Sequence, residues 1–265
     1  MLSPNNRHLR TVFDEVAALY DAIRPGYPAA LYDDIRDVAG LPDGGDILEI
    51  GCGTGQATLP FARRGYHICC VELGADLAAI ARRKLAPYPQ AEVRLGAFET
   101  VPLAEASFDL IISATAFHWV DPASYPKLAH VLRPGGSVAL FWNKHIVGPV
   151  DRGFFSRTQP LYREYAPELY GTGKGPPTAD ELPDESAALA ATGLFGNFTV
   201  RRYPWVERYD ATSFLSLLDT YSDHRALPAE RRKRLYEGIA ALIDGEFSGE
   251  IAKQYLTVLY TAQRR

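Results

Sequence analysis

Short apolar runs alternate with longer amphipathic segments through the first half of the chain. The runs of strand length lie at 47–50, 68–71, 93–95, 110–112 and 138–142. The segments between them have helical spacing, most clearly at 75–88, where Leu77, Ile80, Ala81 and Leu85 share one face and Pro87 ends the helix. This alternation predicts β–α units. Connections of helical length favour parallel strand pairing, so we expect an α/β fold with helices on both faces of a twisted sheet.

The pattern changes after Asn143. An irregular stretch follows, and two further strands are predicted at 198–210 and 253–265, with helical segments between them. Five early strands and two late ones predict a sheet of seven. Ligands of such sheets bind at the carboxyl ends of the strands.

Composition narrows the class of protein without defining it. The chain has 265 residues, 47% of them hydrophobic and 23% charged, and a formal net charge of -4. This length and hydrophobic content suit one large domain. The absence of a basic excess disfavours a nucleic-acid partner. No segment approaches the ~20 apolar residues of a membrane-spanning helix, and the first residues lack a secretory signal. We therefore expect a cytoplasmic protein with no membrane partner.

The three cysteines do not suggest a metal site or a disulfide framework. Cys52, Cys69 and Cys70 are too few and too poorly spaced for either. Cys69 and Cys70 are neighbours in a predicted strand, so their side chains should point to opposite faces of the sheet. We expect buried, reduced thiols and no bound metal.

A glycine-rich loop follows the first predicted strand. Gly51, Gly53 and Gly55 lie between a strand and a helix, where bare backbone can turn tightly and approach a ligand at the helix N-terminus. The dinucleotide-binding pattern G-x-G-x-x-G requires a third glycine at position 56, which is Gln56. The loop thus favours a nucleotide-like cofactor other than NAD.

An acidic residue ends the second predicted strand. Glu72 lies 72 - 51 = 21 positions after the first glycine of the loop. A carboxylate at this place can accept hydrogen bonds from both hydroxyls of a ribose. Because several nucleotide cofactors contain ribose, Glu72 predicts the sugar but not the cofactor.

The segment LEIGCGTGQAT resembles the first motif of the class I S-adenosylmethionine-dependent methyltransferases. The motif, (D/E)-x-G-x-G-x-G, is matched by Glu49, Gly51, Gly53 and Gly55. Segments 71–81, 98–120 and 131–143 resemble the family's ribose strand, its adenine loop with the fourth strand, and the turn into its fifth strand. The resemblance implies a Rossmann-like, seven-stranded, mostly parallel sheet with antiparallel late strands.

The same resemblance implies the positions of the cofactor-binding residues. Backbone at Gly51, Cys52 and Gly53 would meet the methionine part, and Glu49 would support its amino group. Glu72 would bind the ribose. The other implied cofactor contacts are Tyr20, Arg24, Leu73, Phe98, Ala114, His118 and Trp119. Ala97 departs from the family pattern, because related enzymes commonly place an Asp there for the adenine amino group.

The implied reaction is methyl transfer from S-adenosyl-L-methionine, with S-adenosylhomocysteine as product. It depends mainly on alignment and exclusion of water. His118 is the candidate catalytic base in the loop after the fourth strand, although packing against the cofactor is the alternative role. The fourth strand ends in Ser-Ala-Thr-Ala, which lacks the (N/D)-P-P-(Y/F) signature of enzymes that methylate amide or adenine nitrogens.

We therefore predict a single methyltransferase domain over 1–265. An N-terminal helical lid covers 1–40 and the cofactor-binding core covers 41–143. An insertion on the acceptor side covers 144–196, and late strands with a helical insert cover 197–265. Tyr20 and Arg24 of the lid would meet the cofactor carboxylate.

The acceptor is the least defined part of the prediction. Late aromatic and cationic residues could line its pocket, namely Arg157, Tyr162, Arg163, Tyr165, Tyr170, Trp205, Tyr209, Tyr221 and His224. The late layout distantly resembles the trans-aconitate methyltransferases, which favours a small and anionic acceptor. A non-catalytic cofactor-binding module and a nicotinamide-dependent oxidoreductase remain alternatives. The sequence leaves open whether the protein is a monomer or a homodimer.

Overall fold

A seven-stranded sheet organises the protein. The computed structural model describes residues 17–170 and 175–265, and the strand order is β3-β2-β1-β4-β5-β7-β6. The strands are β1 (Asp46–Ile50), β2 (His67–Glu72), β3 (Ala91–Leu95), β4 (Phe108–Ala114), β5 (Leu132–His145), β6 (Phe195–Asp210) and β7 (Glu250–Arg264).

The strand pairing confirms the predicted fold class. The first five strands pair in parallel, while β7 is antiparallel to both β5 and β6. The strands β1, β2 and β3 follow one another toward one edge of the sheet, and β4 and β5 toward the other. The point between β1 and β4 is therefore the topological switch point, where such sheets bind ligands. The late strands predicted at 198–210 and 253–265 are present. β5 continues to His145 and β6 begins at Phe195, so the insertion is slightly shorter than predicted.

Helices surround the sheet. They are α1 (Ala17–Ile23), α2 (Ala29–Ala39), α3 (Thr58–Ala62), α4 (Ala75–Leu85), α5 (Tyr125–Val131), α6 (Phe154–Tyr165), α7 (Pro167–Tyr170), α8 (Ala187–Ala190), α9 (Ala211–Leu218), α10 (Ser222–Arg225) and α11 (Ala229–Glu246). No helix within the described ranges is long and apolar enough to cross a membrane.

Alternate residues of the central strands form two apolar layers. Leu48, Cys69 and Ile111 pack in one layer, while Ile47 and Cys70 pack in the other. This is the two-residue period of a strand buried on both faces. Cys69 and Cys70 thus lie on opposite faces, as predicted, and all three cysteines are buried free thiols.

A third apolar cluster stands beyond the carboxyl end of β5. Helices α6, α9 and α11 pack there against the first residues of β7. On the N-terminal side, α1 packs against α4 and α9, so it bridges the core and the late helices. Residues 1–16 of the predicted lid lie outside the described residues.

Candidate functional site

The glycine loop after β1 needs bare backbone for two reasons. Gly51, Gly53 and Gly55 have φ values of 71°, 56° and 83°, in the left-handed region that favours glycine. A Cβ on Gly51 would also lie 2.6 Å from the Cβ of Ala116 in the loop after β4. The ends of β1 and β4 therefore approach more closely than a residue with a side chain at position 51 would allow.

Glu72 holds the glycine loop in place. Its carboxylate accepts a hydrogen bond from the Gly53 N–H at 2.7 Å and another from the Gly74 N–H at 2.9 Å. The side chain is buried, yet it also lines a cavity. Because each carboxylate oxygen can accept more than one hydrogen bond, Glu72 can fix the loop and still accept from a ribose.

A cavity of about 280 Å³ opens at the carboxyl ends of β1, β2 and β4. Ten of the predicted site residues line it: Tyr20, Arg24, Gly51, Gly53, Glu72, Leu73, Phe98, Ala114, His118 and Trp119. Val71, Leu77 and Val120 add apolar walls. The strand ends at the switch point thus bring together residues from five separate segments.

Glu49 and Cys52 do not line this cavity. Glu49 is fully buried, and one of its oxygens accepts a hydrogen bond from the Thr58 hydroxyl at 2.6 Å. Its other oxygen has no hydrogen-bond partner among the described residues. Burial raises the pKa of Glu49 to about 8, so the acid is mostly protonated at neutral pH. Its contact with a cofactor amino group stays a prediction, as does the cofactor contact of Cys52.

Arg24 closes the cavity from the end of α1. Its Nε donates to the Thr220 hydroxyl at 2.8 Å and its Nη2 to the Thr220 carbonyl at 3.0 Å. The guanidinium carbon lies 5.0 Å from the ring centroid of Tyr20. Gln56, which breaks the dinucleotide pattern, donates from its side chain to the Arg24 carbonyl at 3.0 Å. Gln56 therefore ties the glycine loop to α1.

His118 is held by a tryptophan of β5. The Trp142 indole N–H donates to His118 Nδ1 at 3.2 Å. Although His118 is exposed, desolvation by neighbouring protein atoms and the Lys144 charge lower its pKa to about 4. The neutral ring accepts at Nδ1, so Nε2 carries the proton. His118 would have to change tautomer before its Nε2 could accept a proton.

The turn after β3 is fixed by a lysine. Lys127 donates to the carbonyls of Phe98 and Val101 at 2.7 and 2.6 Å, and its ammonium lies 5.1 Å from the Phe98 ring centroid. Glu99 accepts from the Asp121 N–H at 3.2 Å, which joins this turn to the loop after β4. Ala97 lines the cavity here. Because position 97 is Ala rather than Asp, the turn can contact a planar ring only through side-chain packing and backbone groups.

Known proteins share this core. Residues 48–140 match a family described as the methyltransferase domain. A proposed type II methyltransferase from Anaeromyxobacter dehalogenans is 25% identical, with a TM-score of 0.60 over 90% of this chain and 97% of that one. These matches support a class I S-adenosylmethionine-dependent methyltransferase.

Two curated relatives are also described as methyltransferases. An uncharacterized methyltransferase of Mycobacterium tuberculosis is 34% identical over 140 residues, which are 52% of this chain and 55% of the relative. The match thus spans about half the length of that relative. An uncharacterized methyltransferase-like protein of Schizosaccharomyces pombe is 26% identical over 232 residues, or 86% of this chain and 84% of the relative.

The structure has a second cavity, of about 260 Å³, between α6, α10 and the start of β7. Four of the late residues predicted to line an acceptor pocket do line it, namely Tyr162, Tyr170, Tyr221 and His224. The others, Arg157, Arg163, Tyr165, Trp205 and Tyr209, are not among its lining residues. The structure therefore brings only four of these nine predicted acceptor-pocket residues together in this cavity.

Side chains from distant parts of the chain form a hydrogen-bonded row in the second cavity. The Tyr162 hydroxyl lies 2.8 Å from His224 Nε2, and His224 Nδ1 lies 2.7 Å from an Asp223 oxygen. Asp223 and Lys253 line the cavity but were not singled out from the sequence. Their only sequence signals are a charge beside His224 and a lysine in an apolar strand.

Proposed function

We propose that this protein is an S-adenosylmethionine-dependent methyltransferase that acts on a small-molecule acceptor and releases S-adenosylhomocysteine. One observation carries the proposal. The glycine loop is bonded to the acid that ends the neighbouring strand, Gly53 N–H to Glu72 at 2.7 Å, inside a cavity at the topological switch point. This arrangement presents backbone and a carboxylate to one nucleoside-like ligand.

The residues present fit the cofactor. Glu72 would accept hydrogen bonds from the ribose hydroxyls, while Leu73 and Phe98 would flank the adenine. Arg24 would face the carboxylate of the methionine part, since no described residue forms a salt bridge with it. The cofactor supplies an electrophilic methyl group. The chain itself holds the reactants in line and keeps water out, which are the chief demands of this chemistry.

His118 has two roles open to it in this proposal. With the proton on Nε2 it would donate a hydrogen bond and position the acceptor or the cofactor. As a base it would first need the other tautomer, which competes with the Trp142 hydrogen bond. A carboxylate acceptor would need no base at all. The positioning role therefore agrees better with the hydrogen bonds of the site.

The nicotinamide alternative is disfavoured by Gln56. Gln56 stands where the dinucleotide pattern requires its third glycine, and its side chain donates a hydrogen bond to the Arg24 carbonyl. The glycine loop that binds a pyrophosphate in that pattern is therefore incomplete. A non-catalytic module would have the same cofactor cavity. Only turnover distinguishes that alternative from an enzyme.

Equilibrium binding and a transfer assay test the proposal together. The purified protein is titrated with S-adenosylmethionine, S-adenosylhomocysteine and NAD, and it is then incubated with methyl-labelled cofactor and a small-molecule metabolite extract. We expect binding of both adenosyl ligands, no binding of NAD, and labelled small molecules. Binding of NAD alone contradicts the proposal. Binding without transfer supports the non-catalytic alternative.

A further inference from the structure

A lysine occupies a core position of β7. Ile251, Lys253 and Tyr255 alternate along the strand and therefore point to one face. Ile251 and Tyr255 belong to the apolar cluster of the late helices, and Lys253 between them is only 7% exposed. A buried ammonium is costly unless an opposite charge accompanies it. An anion next to Lys253 would therefore stabilise its buried charge.

None of the described residues supplies that anion. Lys253 donates to the Tyr221 hydroxyl at 3.3 Å, and its ammonium lies 5.4 to 5.9 Å from the ring centroids of Phe214, Tyr221 and Tyr255. Within 17–170 and 175–265, no carboxylate lies at salt-bridge distance from it. Aromatic rings and one hydroxyl surround the cation, which leaves its charge unmatched.

Lys253 lines the second cavity together with two aspartates, Asp151 and Asp223, which accept hydrogen bonds. Asp223 accepts from the N–H and Nδ1 of His224, and its side chain is 59% exposed. Asp151 accepts from the Phe155 N–H at 3.2 Å. The remaining walls are mainly apolar or aromatic, with Phe154, Leu169, Phe214 and Leu218 among them. Among the lysine and aspartate side chains that line the cavity, Lys253 is therefore the buried one.

Tyr221 lies between this cation and the cofactor cavity. The Arg24 guanidinium carbon is 4.5 Å from the Tyr221 ring centroid, and Arg24 lines the first cavity while Tyr221 lines the second. Burial raises the pKa of Tyr221, but the charges of Lys253 and Arg24 and the hydrogen bonds with Lys253 and Tyr255 together lower it. Two cations, Arg24 and Lys253, thus lie against Tyr221 at the boundary between the two cavities.

We propose that the second cavity binds an acidic group of the methyl acceptor, with Lys253 as its counter-ion. The acceptor is therefore an organic anion with an apolar or aromatic body. Its anchored acid is not the methylated group, because Tyr221 separates Lys253 from the cofactor cavity. The product keeps that negative charge. This inference rests on the proposed methyltransferase function.

The charge of the labelled products tests the inference. The wild-type protein is incubated with methyl-labelled S-adenosylmethionine and a metabolite extract, and the products are separated by anion exchange at pH 7. We expect the transferred label in the retained, anionic fraction. Label in neutral or cationic products overturns the inference and still supports methyl transfer. No labelled product while S-adenosylhomocysteine binds contradicts the proposed enzyme activity, and the inference falls with it.

Substitutions of Lys253 test whether transfer to anionic acceptors depends on the charge of this residue. Lys253→Met removes the cation at similar length and should lower transfer to the anionic fraction by about tenfold to a hundredfold, as for loss of a charge-assisted hydrogen bond. S-adenosylhomocysteine affinity should stay within about twofold. Lys253→Arg keeps the charge and should retain most transfer. Lys233→Met, at a position 68% exposed on α11, is the matched control. Undiminished transfer by folded Lys253→Met overturns the inference.

Discussion

The two cavities are built in different ways. The cofactor cavity rests on backbone groups, glycines and strand ends, and residues 49–72 contribute much of it. The second cavity rests on side chains from α6, α10 and β7, which come from residues far apart in the chain. Backbone geometry demands particular residue types in a fixed order, so it leaves a motif. Side chains that meet across distant segments leave none.

The two cavities also differ in how they satisfy charge. The carboxylate of Glu72 is matched by two backbone N–H groups that hold it in place. Lys253 is buried without an anionic partner among the described residues. Glu72 therefore organises a loop through its own hydrogen bonds, whereas the charge of Lys253 is available to an anionic ligand.

The largest expected effect follows from a methyl group in the glycine loop. Gly51→Ala places a Cβ 2.6 Å from Ala116 at a φ of 71°. Left-handed strain and overpacking together should cost about 2–5 kcal/mol. Chemical denaturation and calorimetric titration with S-adenosylhomocysteine should show lower stability and weaker binding. Gly245→Ala is the control, since Gly245 has no atoms within 4 Å of an added Cβ. Equal behaviour of the two variants would refute the close approach.

Much of the cofactor half is predictable from the sequence for the same reason. The apolar periodicity locates the strands. Gly51, Gly53 and Glu72 directly follow or end predicted strands, so their place at the edge of the sheet can be predicted from the sequence. The sequence does not predict that Gln56 bonds the Arg24 carbonyl or that Trp142 bonds His118, because these contacts join residues 32 and 24 positions apart. Lys253 has a visible signal, a charge on the apolar face of β7. The burial of Lys253 could not be predicted, because it depends on the late helices that pack over this face of β7.

The second expected effect concerns the pH dependence of stability. Burial raises the pKa of Glu49 to about 8, above its usual value of 4.5. The folded state therefore keeps a proton that the unfolded state releases, and stability should fall as pH rises from 4.5 to 8. The loss should be on the order of 2–4 kcal/mol. Unfolding free energies of wild type and Glu49→Gln across this range measure it.

The Glu49→Gln variant should have a flatter stability profile over that range, since its amide does not titrate. Glu105→Gln, at a side chain 72% exposed, should leave the wild-type slope unchanged. Parallel profiles for wild type and Glu49→Gln would mean that Glu49 is ionised in the folded protein.

The third effect tests the acid of the cofactor half. Glu72→Ala removes the acceptor of the Gly53 and Gly74 N–H groups and the predicted ribose contact. Cofactor affinity should weaken by about 1.5–3 kcal/mol, roughly tenfold to more than a hundredfold. Titration with S-adenosylhomocysteine checks this, with Glu92→Ala at an exposed strand position as the control. Unchanged affinity would remove Glu72 from the site.

The smallest effect separates positioning from proton transfer at His118. The ring is neutral above about pH 5 because its pKa is lowered to about 4, and Nδ1 already accepts from Trp142. His118→Asn should therefore lower methyl transfer by less than about tenfold and leave the pH–rate profile unchanged from pH 6 to 8. Loss of a general base would cost about 10²–10⁴-fold. A loss of that size, with cofactor affinity retained, would make His118 the base. The Trp142 hydrogen bond would then have to break in each turnover, and Trp142→Phe should raise the rate.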